Sequence, residues 1–245
     1  MSYKTGYIRD SFEKNKIILN DAQTEMFADY YDLLIEENRS VNLTSLIELD
    51  DVVYKHFIDS VVINRYFDLS WVNDLIDVGT GAGFPGIPLK ILYPQLNVTL
   101  LDSLWKRTVF LHNLVDKLGI NGVDIIHGRA EDLGRDPDHR QQYDLSVSRA
   151  VAALPVLCEY CTPFIKTGGY FVAYKSRNIK EEIEVSKSSV FLLGCEVESY
   201  KEFSLDMDME ASDPTNVRSF VFIKRKSPLS SKYPRRAGIP KKSPL

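Results

Sequence analysis

The sequence predicts an α/β fold built on a doubly wound, mostly parallel seven-stranded sheet with an antiparallel last strand. Three observations point there. From Asn73 onward, strand-like and helix-like segments alternate. The buried-strand run Leu75-Ile76-Asp77-Val78 passes directly into a glycine cluster, Gly79-Thr80-Gly81-Ala82-Gly83-Phe84-Pro85-Gly86. The final strand-like segments, 193–204 and 217–225, are separated only by a polar loop, so they pair antiparallel and close the sheet. At 245 residues the chain holds one such sheet and a small appendage. The expected division is a helical N-terminal extension over 1–70, a sheet-bearing domain over 71–226 and a basic C-terminal tail over 227–245.

In the extension, residues 20–38 place Met26, Phe27, Tyr30, Leu33 and Leu34 at helical spacing, with Asn20 or Asp21 as N-cap. A second helical stretch runs from about Asp50 to Phe67. The strands are expected at 73–78, 97–102, 122–127, 143–148 and 168–174, followed by the closing pair. Helices are expected at 86–93, 104–118 and 151–165, with Gly119 and Gly168-Gly169 as helix stops.

The net charge of −4 conceals an asymmetry. From Lys224 to Leu245 there are eight Lys/Arg and no Asp/Glu, leaving 22 basic and 34 acidic residues elsewhere. A basic tail on an acidic body is a nucleic-acid footprint or a solvated terminus. Prolines at 228, 234, 240 and 244 keep that tail extended rather than helical. No run approaches 18 apolar residues, so no membrane span is expected. Residues Met1 to Asn20 lack a signal-peptide apolar core, and three cysteines argue against a disulfide framework. A cytoplasmic monomer is expected. Cys158 and Cys161, spaced C-x-x-C on a helix, read as core residues rather than a redox pair, and no metal-ligand cluster is visible.

The glycine cluster fits two templates. Gly81 to Gly86 matches the dinucleotide fingerprint G-x-G-x-x-G, which leaves an NAD-dependent oxidoreductase as the alternative reading. The longer acid-x-Gly-x-Gly-x-Gly run from Asp77 resembles motif I of the class I S-adenosylmethionine-dependent methyltransferases, a Rossmann-like fold. Two details favour the second. A carboxylate at Asp77, beside the site, repels a pyrophosphate and attracts a sulfonium or ammonium. Pro85 and Pro88 remove N–H donors that a diphosphate needs.

Asp102 ends the second strand 23 residues after Gly79, near the spacing at which an acid meets ribose hydroxyls; it also suits the start of the next helix. Ala130 and Glu131 follow the third strand, where such folds cover the adenine edge, although Glu131 also reads as a cap. The fourth strand ends at Ser148-Arg149-Ala150, where the transferred methyl group lies in this fold. No Asn-Pro-Pro-Tyr, Asp-Pro-Pro-Tyr or Pro-Cys signature is present, so exocyclic-amine and cysteine-assisted methylation lack their residues. Arg149, with Arg129 nearby, cannot act as a base, but its planar fork can hold guanine O6 or a phosphate; Arg149 reads equally as a salt-bridge residue. Guanine N7 needs no deprotonation, so a site with arginines and no base suits N7 methylation.

Together these segments resemble the RsmG (GidB) family of bacterial ribosomal RNA methyltransferases. The resemblance is carried by Val41-Asn42-Leu43-Thr44, His56-Phe57-Ile58-Asp59-Ser60, Asp77 to Leu89, Leu101 to Arg107, Gly128-Arg129-Ala130-Glu131, Ser148-Arg149-Ala150 and Lys232 to Pro240. It implies methylation of N7 of the guanine at position 527 of 16S ribosomal RNA, on the small ribosomal subunit. S-adenosyl-L-methionine is the implied cofactor. It implies cofactor contacts at Gly79, Phe84, Ala130, Glu131 and Arg149, joined by Asp77, Gly81, Gly83 and Asp102 from the motif. RNA or guanine contacts are implied for Lys106, Arg107, Arg129 and Arg149, although Lys106-Arg107 by themselves read as a solvated helix face, with Arg235 and Arg236 in a tail that clamps the RNA backbone. Asn42, His56, Phe57, Asp59 and Ser60 read as packing and capping residues.

Overall fold

A computed structural model describes residues 3–176, 179–205 and 217–245. Seven strands, β1 (Asp74–Val78), β2 (Asn97–Asp102), β3 (Val123–His127), β4 (Tyr143–Arg149), β5 (Ile165–Lys175), β6 (Cys195–Ser204) and β7 (Val217–Arg225), form one sheet in the order β3-β2-β1-β4-β5-β7-β6. The first five run parallel, and β7 is antiparallel to both β5 and β6. The polar loop expected between β6 and β7 falls on 206–216, outside the described residues.

Period-two alternation divides the sheet into two cores. Leu75, Val98, Leu100, Val172, Phe220 and Phe222 face one way, onto helices α1 (Tyr3–Lys14), α2 (Asp21–Val41), α5 (Gly86–Leu92) and α6 (Trp105–Leu118). Ile76, Leu101, Phe171, Ala173, Val221 and Ile223 face α8 (Leu154–Cys161) and α9 (Ile179–Leu192). The N-terminal helices therefore share a core with one sheet face.

Asn20 caps α2 through a capping box: its side chain accepts from Gln23 N at 2.8 Å, and Gln23 Oε1 accepts from Asn20 N at 3.0 Å. The expected 50–67 helix is an irregular rod. It comprises α3 (Leu49–Val52), a π-helix (Val53–Ile58), α4 (Asp59–Val61) and a 3-10 turn (Val62–Arg65). The helix expected over 151–165 stops at Cys161 and passes through a 3-10 turn, Thr162–Phe164, into β5. Gly119 does stop α6, in the left-handed region at φ 62°. Gly168 and Gly169 instead lie inside β5, where the pairing with β4 shifts register between Tyr143 and Leu145. A Cβ on Gly169 would sit 2.7 Å from Asp144 O. Helices α1 and α9 are additional to the elements the sequence predicts.

The tail is not simply extended. It folds back over α8 and the short helix α7 (Ala130–Leu133), and ends in α10 (Ile239–Lys242). Pro240 is tolerated there because it stands in the first turn, whose N–H groups have no intrahelical acceptor.

Candidate active site

Strand order reverses at β1, which lies between β2 and β4, and a cleft of about 710 Å³ opens there at the carboxyl ends of the strands. Gly79, Gly81, Phe84, Asp102, Arg107 and Arg149, all expected from sequence, line it. So do Thr44, Lys55, His56, Asp59, Lys175, Phe203 and Arg218, which were not placed in the site. Among the described lining residues five side chains are basic and two acidic.

The glycine loop spends its own amides. Gly79 N and Thr80 N donate to Leu101 O, at 2.8 and 3.1 Å, and Gly83 N and Phe84 N donate to Thr80 O, at 3.0 and 2.9 Å. Gly81 N donates to Asp102 Oδ2 at 2.9 Å, and Gly86 N to Asp77 Oδ2 at 2.8 Å. Dinucleotide sites hold pyrophosphate on free amides at this turn. With these donors spent, the oxidoreductase reading loses its chemical basis.

Asp77 does not stand beside the ligand space. It is wholly buried behind the loop, where Oδ2 also accepts from Thr80 Oγ1 at 2.7 Å, and Oδ1 has no partner. Burial lifts its carboxyl to about 7, against the lowering effect of the Thr80 and Gly86 bonds. Its role is to shape the loop. Gly83 is likewise turned inward, since a Cβ would meet Tyr30 Oη at 2.7 Å. The acid that faces the cleft beside the loop is Asp102. Its Oδ1 accepts from Leu104 N at 2.9 Å and its Oδ2 from Arg107 Nη1 at 3.3 Å, in addition to Gly81. Four acceptor positions on a carboxylate leave capacity for a hydroxyl. A Cβ on Gly81 would meet nothing within 4 Å, so the loop presents open space to a ligand. A diol-bearing nucleoside without phosphates suits this floor, and S-adenosylmethionine carries its ribose in that form.

Arg149, at the end of β4, reaches toward the π-helix. Nη1 donates to Asp59 Oδ2 at 2.8 Å and to the Lys55 and His56 carbonyls at 3.3 and 3.4 Å. Nη2 lies 3.3 Å from His56 Nδ1, and the guanidinium stands 5.1 Å from the Phe84 ring centre. Arginine has no acceptor, so Nδ1 accepts and the ring proton resides on Nε2, donating to Thr44 Oγ1 at 2.8 Å. Burial, then Arg149, pushes the His56 imidazole down to about 3. Asp59 also meets Arg218 Nε at 3.4 Å. This chain ties β4, β7 and the extension around the cleft.

Other expected residues lie outside the cleft lining. Arg129 is exposed and precedes α7, and Lys106 is exposed on α6. Ala130 is half-buried at the start of α7, while Glu131 is buried and accepts from Gly238 N at 2.8 Å. Arg235 donates to Glu159, buried under the tail, through Nε and Nη2 at 2.9 and 2.6 Å; Arg236 stays exposed. The signal that would have found His56 and Asp59 is their place on one turn of the rod, opposite the end of β4.

The doubly wound sheet with its antiparallel end, and a switch-point cleft suited to a nucleoside without phosphates, define a class I S-adenosylmethionine-dependent methyltransferase. Solved structures agree on the fold. A chain of the complex between the Haloferax volcanii Trm112 methyltransferase activator and its methyltransferase matches with TM-score 0.56 and 15% identity, over 80% of this chain and 97% of that one. The [4+2]-cyclase SpnF matches equally well, TM-score 0.56 at 12% identity over 84% and 97%, so the fold alone does not fix the reaction. The family model described as GidB, rRNA small subunit methyltransferase G, matches residues 23–209, and the chain belongs to that family. Relatives named ribosomal RNA small subunit methyltransferase G include one from Staphylococcus carnosus, 43% identical over 240 residues, 98% of each chain. Another, from Thermoanaerobacter sp., is 48% identical over 229 residues, 94% of this chain and 93% of that one.

Proposed function

We propose that this methyltransferase acts on N7 of a guanine in small-subunit RNA, at position 527 of 16S ribosomal RNA. The observation that carries the reading is an acceptor end rich in cations and without a disposable base. Asp59 is held by two arginines, and His56 binds protons too weakly to take one near neutral pH. Guanine N7 carries an in-plane lone pair, so its methylation requires no proton transfer, only alignment. Lys55, Lys175 and Arg218, together with Arg149, line the cleft and favour an anionic polynucleotide.

Gly79, Gly81, Phe84 and Asp102 would hold S-adenosylmethionine, with Asp102 accepting from the ribose. When bound, the cofactor supplies its methyl as a carbon electrophile on a sulfonium. Arg149 would present its fork to guanine O6 while the π-helix carbonyls fix the guanidinium from behind. Among the described residues no helix is long and apolar enough to cross a membrane. A ribosomal RNA substrate fits a cytoplasmic enzyme, and we take it to act as a monomer.

The test is a methyl-transfer assay with tritiated S-adenosylmethionine and small subunits from a strain lacking this gene, with parent-strain subunits as control. Label confined to the deficient subunits, released by N7-specific aniline cleavage at position 527, is the expected result. Label at another atom or another RNA would overturn it.

A further inference from the structure

Helix α6 buries Thr108, Phe110, Leu111, Leu114, Val115 and Leu118, yet leaves three large apolar side chains in water at its start. Leu104 is 52% exposed, Trp105 64% and Val109 39%. The stretch 103–115 contains Lys106 and Arg107 and no acidic residue. Ser103, Leu104 and Arg107 line the cleft, so the exposed face continues its rim. Trp105 meets the His127 ring at 5.5 Å and 78°, and His127 Nε2 lies 3.2 Å from Ser103 O. Arg129, also exposed, lies two residues beyond His127.

We propose that Trp105 is a stacking platform for an unpaired base next to the target guanine, with Lys106 and Arg129 on the adjoining phosphates. The inference rests on the ribosomal RNA reading above. A base drawn into a cleft loses its stacking neighbours, and the neighbours lose one face each. A rigid indole at the rim replaces a lost neighbour, and nucleic-acid sites use aromatic rings in this way. The exposed cations Lys106 and Arg129 beside an exposed indole favour RNA over an apolar protein surface as the occupant of this rim.

The chain has two tryptophans, and Trp71 packs on Phe67 and Tyr170 at 5.9 and 6.0 Å, away from the cleft. Trp71→Phe therefore leaves Trp105 as the sole indole reporter. Unmethylated small subunits are expected to quench its emission and to shield it from acrylamide. Trp105→Leu is expected to raise KM for subunits about tenfold, within what one stacked base supplies. Its kcat and its affinity for S-adenosylmethionine should stay level. Trp105→Phe should recover most of the loss, because stacking needs a ring and a mere apolar contact does not. Unchanged emission, or Trp105→Leu kinetics equal to the parent while methyl transfer proceeds, would overturn the stacking role and leave the function standing. Absence of transfer to any ribosomal RNA by the parent protein would overturn both together.

Discussion

Arg149 Nη1 lies 2.8 Å from Asp59 Oδ2, and this pair fastens the carboxyl end of β4 to the helical extension. Both side chains are largely shielded, at 13% and 8% exposure, so removing one partner costs more than breaking a surface bridge. It also sets the fork, because the π-helix carbonyls accept from the same Nη1. Arg149→Lys keeps the charge but loses the fork. We expect kcat to fall more than tenfold with little change in S-adenosylmethionine affinity. A double-mutant cycle of Arg149→Ala and Asp59→Ala should show coupling of roughly 1–3 kcal/mol by chemical unfolding. Additive losses would mean that Arg149 acts without Asp59.

Asp77 and His56 contribute oppositely to stability against pH. Asp77, raised by burial to about 7, ionises near 4 when unfolded, so unfolding between those values releases a proton. Its contribution is full below about pH 4 and is lost as pH rises toward 7. His56, lowered to about 3, takes up a proton near 6.5 when unfolded. Its contribution is full above about pH 6.5 and is lost as pH falls toward 3. Relative to the parent, Asp77→Asn should therefore gain stability as pH rises from 4 to 7, and His56→Gln as pH falls from 6.5 to 4. Each change should amount to a few kcal/mol across its window. Urea unfolding at pH 4.5, 5.5 and 7 measures this, and curves parallel to the parent would contradict the assignment.

Much of this arrangement was legible in the sequence, because strand period and glycine spacing are local signals. All seven strands fall close to their expected bounds, and Asn20 caps α2 as its side chain suggests. Local signals failed where burial uses polar side chains. Helix α9 buries Ser186 and Ser189 beside Ile179 and Ile183, which dilutes its apolar stripe, and α1 buries Thr5 and Ser11 with only Ile8 and Phe12. The site was half legible for a different reason. The glycine loop is contiguous, whereas His56 and Asp59 reach Arg149, and Thr44 and Arg218 reach His56 and Asp59 in turn, only through tertiary packing. Asp77 was misplaced because a strand-end acid facing the ligand and one bracing the loop from behind have the same sequence.

Tail chemistry separates two neighbouring arginines. Arg235 closes on Glu159, whose side chain is 1% exposed, while Arg236 is exposed. Arg235→Ala strands a buried carboxylate and should cost about 3–5 kcal/mol. Adding Glu159→Gln should recover part of that loss. Arg236→Ala should leave stability unchanged and weaken subunit binding, with a shallower salt dependence. Thermal unfolding and filter binding at two salt concentrations distinguish the two. Equal stability losses would mean that both arginines hold the fold.

Gly81 and Gly83 lie two residues apart with positive φ, at 63° and 99°, and differ in what a side chain would meet. At Gly81 a Cβ enters open space on the cleft side, so alanine there bears only left-handed strain of about 1–2 kcal/mol. At Gly83 the same atom would press on Tyr30 Oη at 2.7 Å and Ile87 Cγ1 at 2.9 Å. Tyr30 also bonds Ala82 O and stacks on Phe84 at 5.3 Å, so it cannot retreat without moving the loop. Gly83→Ala should therefore lose more stability, about 2–5 kcal/mol from strain and overpacking together. Gly81→Ala should instead lose S-adenosylmethionine affinity, because its methyl occupies the space the ligand needs. Calorimetric titration with S-adenosylhomocysteine beside thermal unfolding reads both effects. Should Gly81→Ala bind S-adenosylhomocysteine as tightly as the parent, that face of the loop does not touch the cofactor.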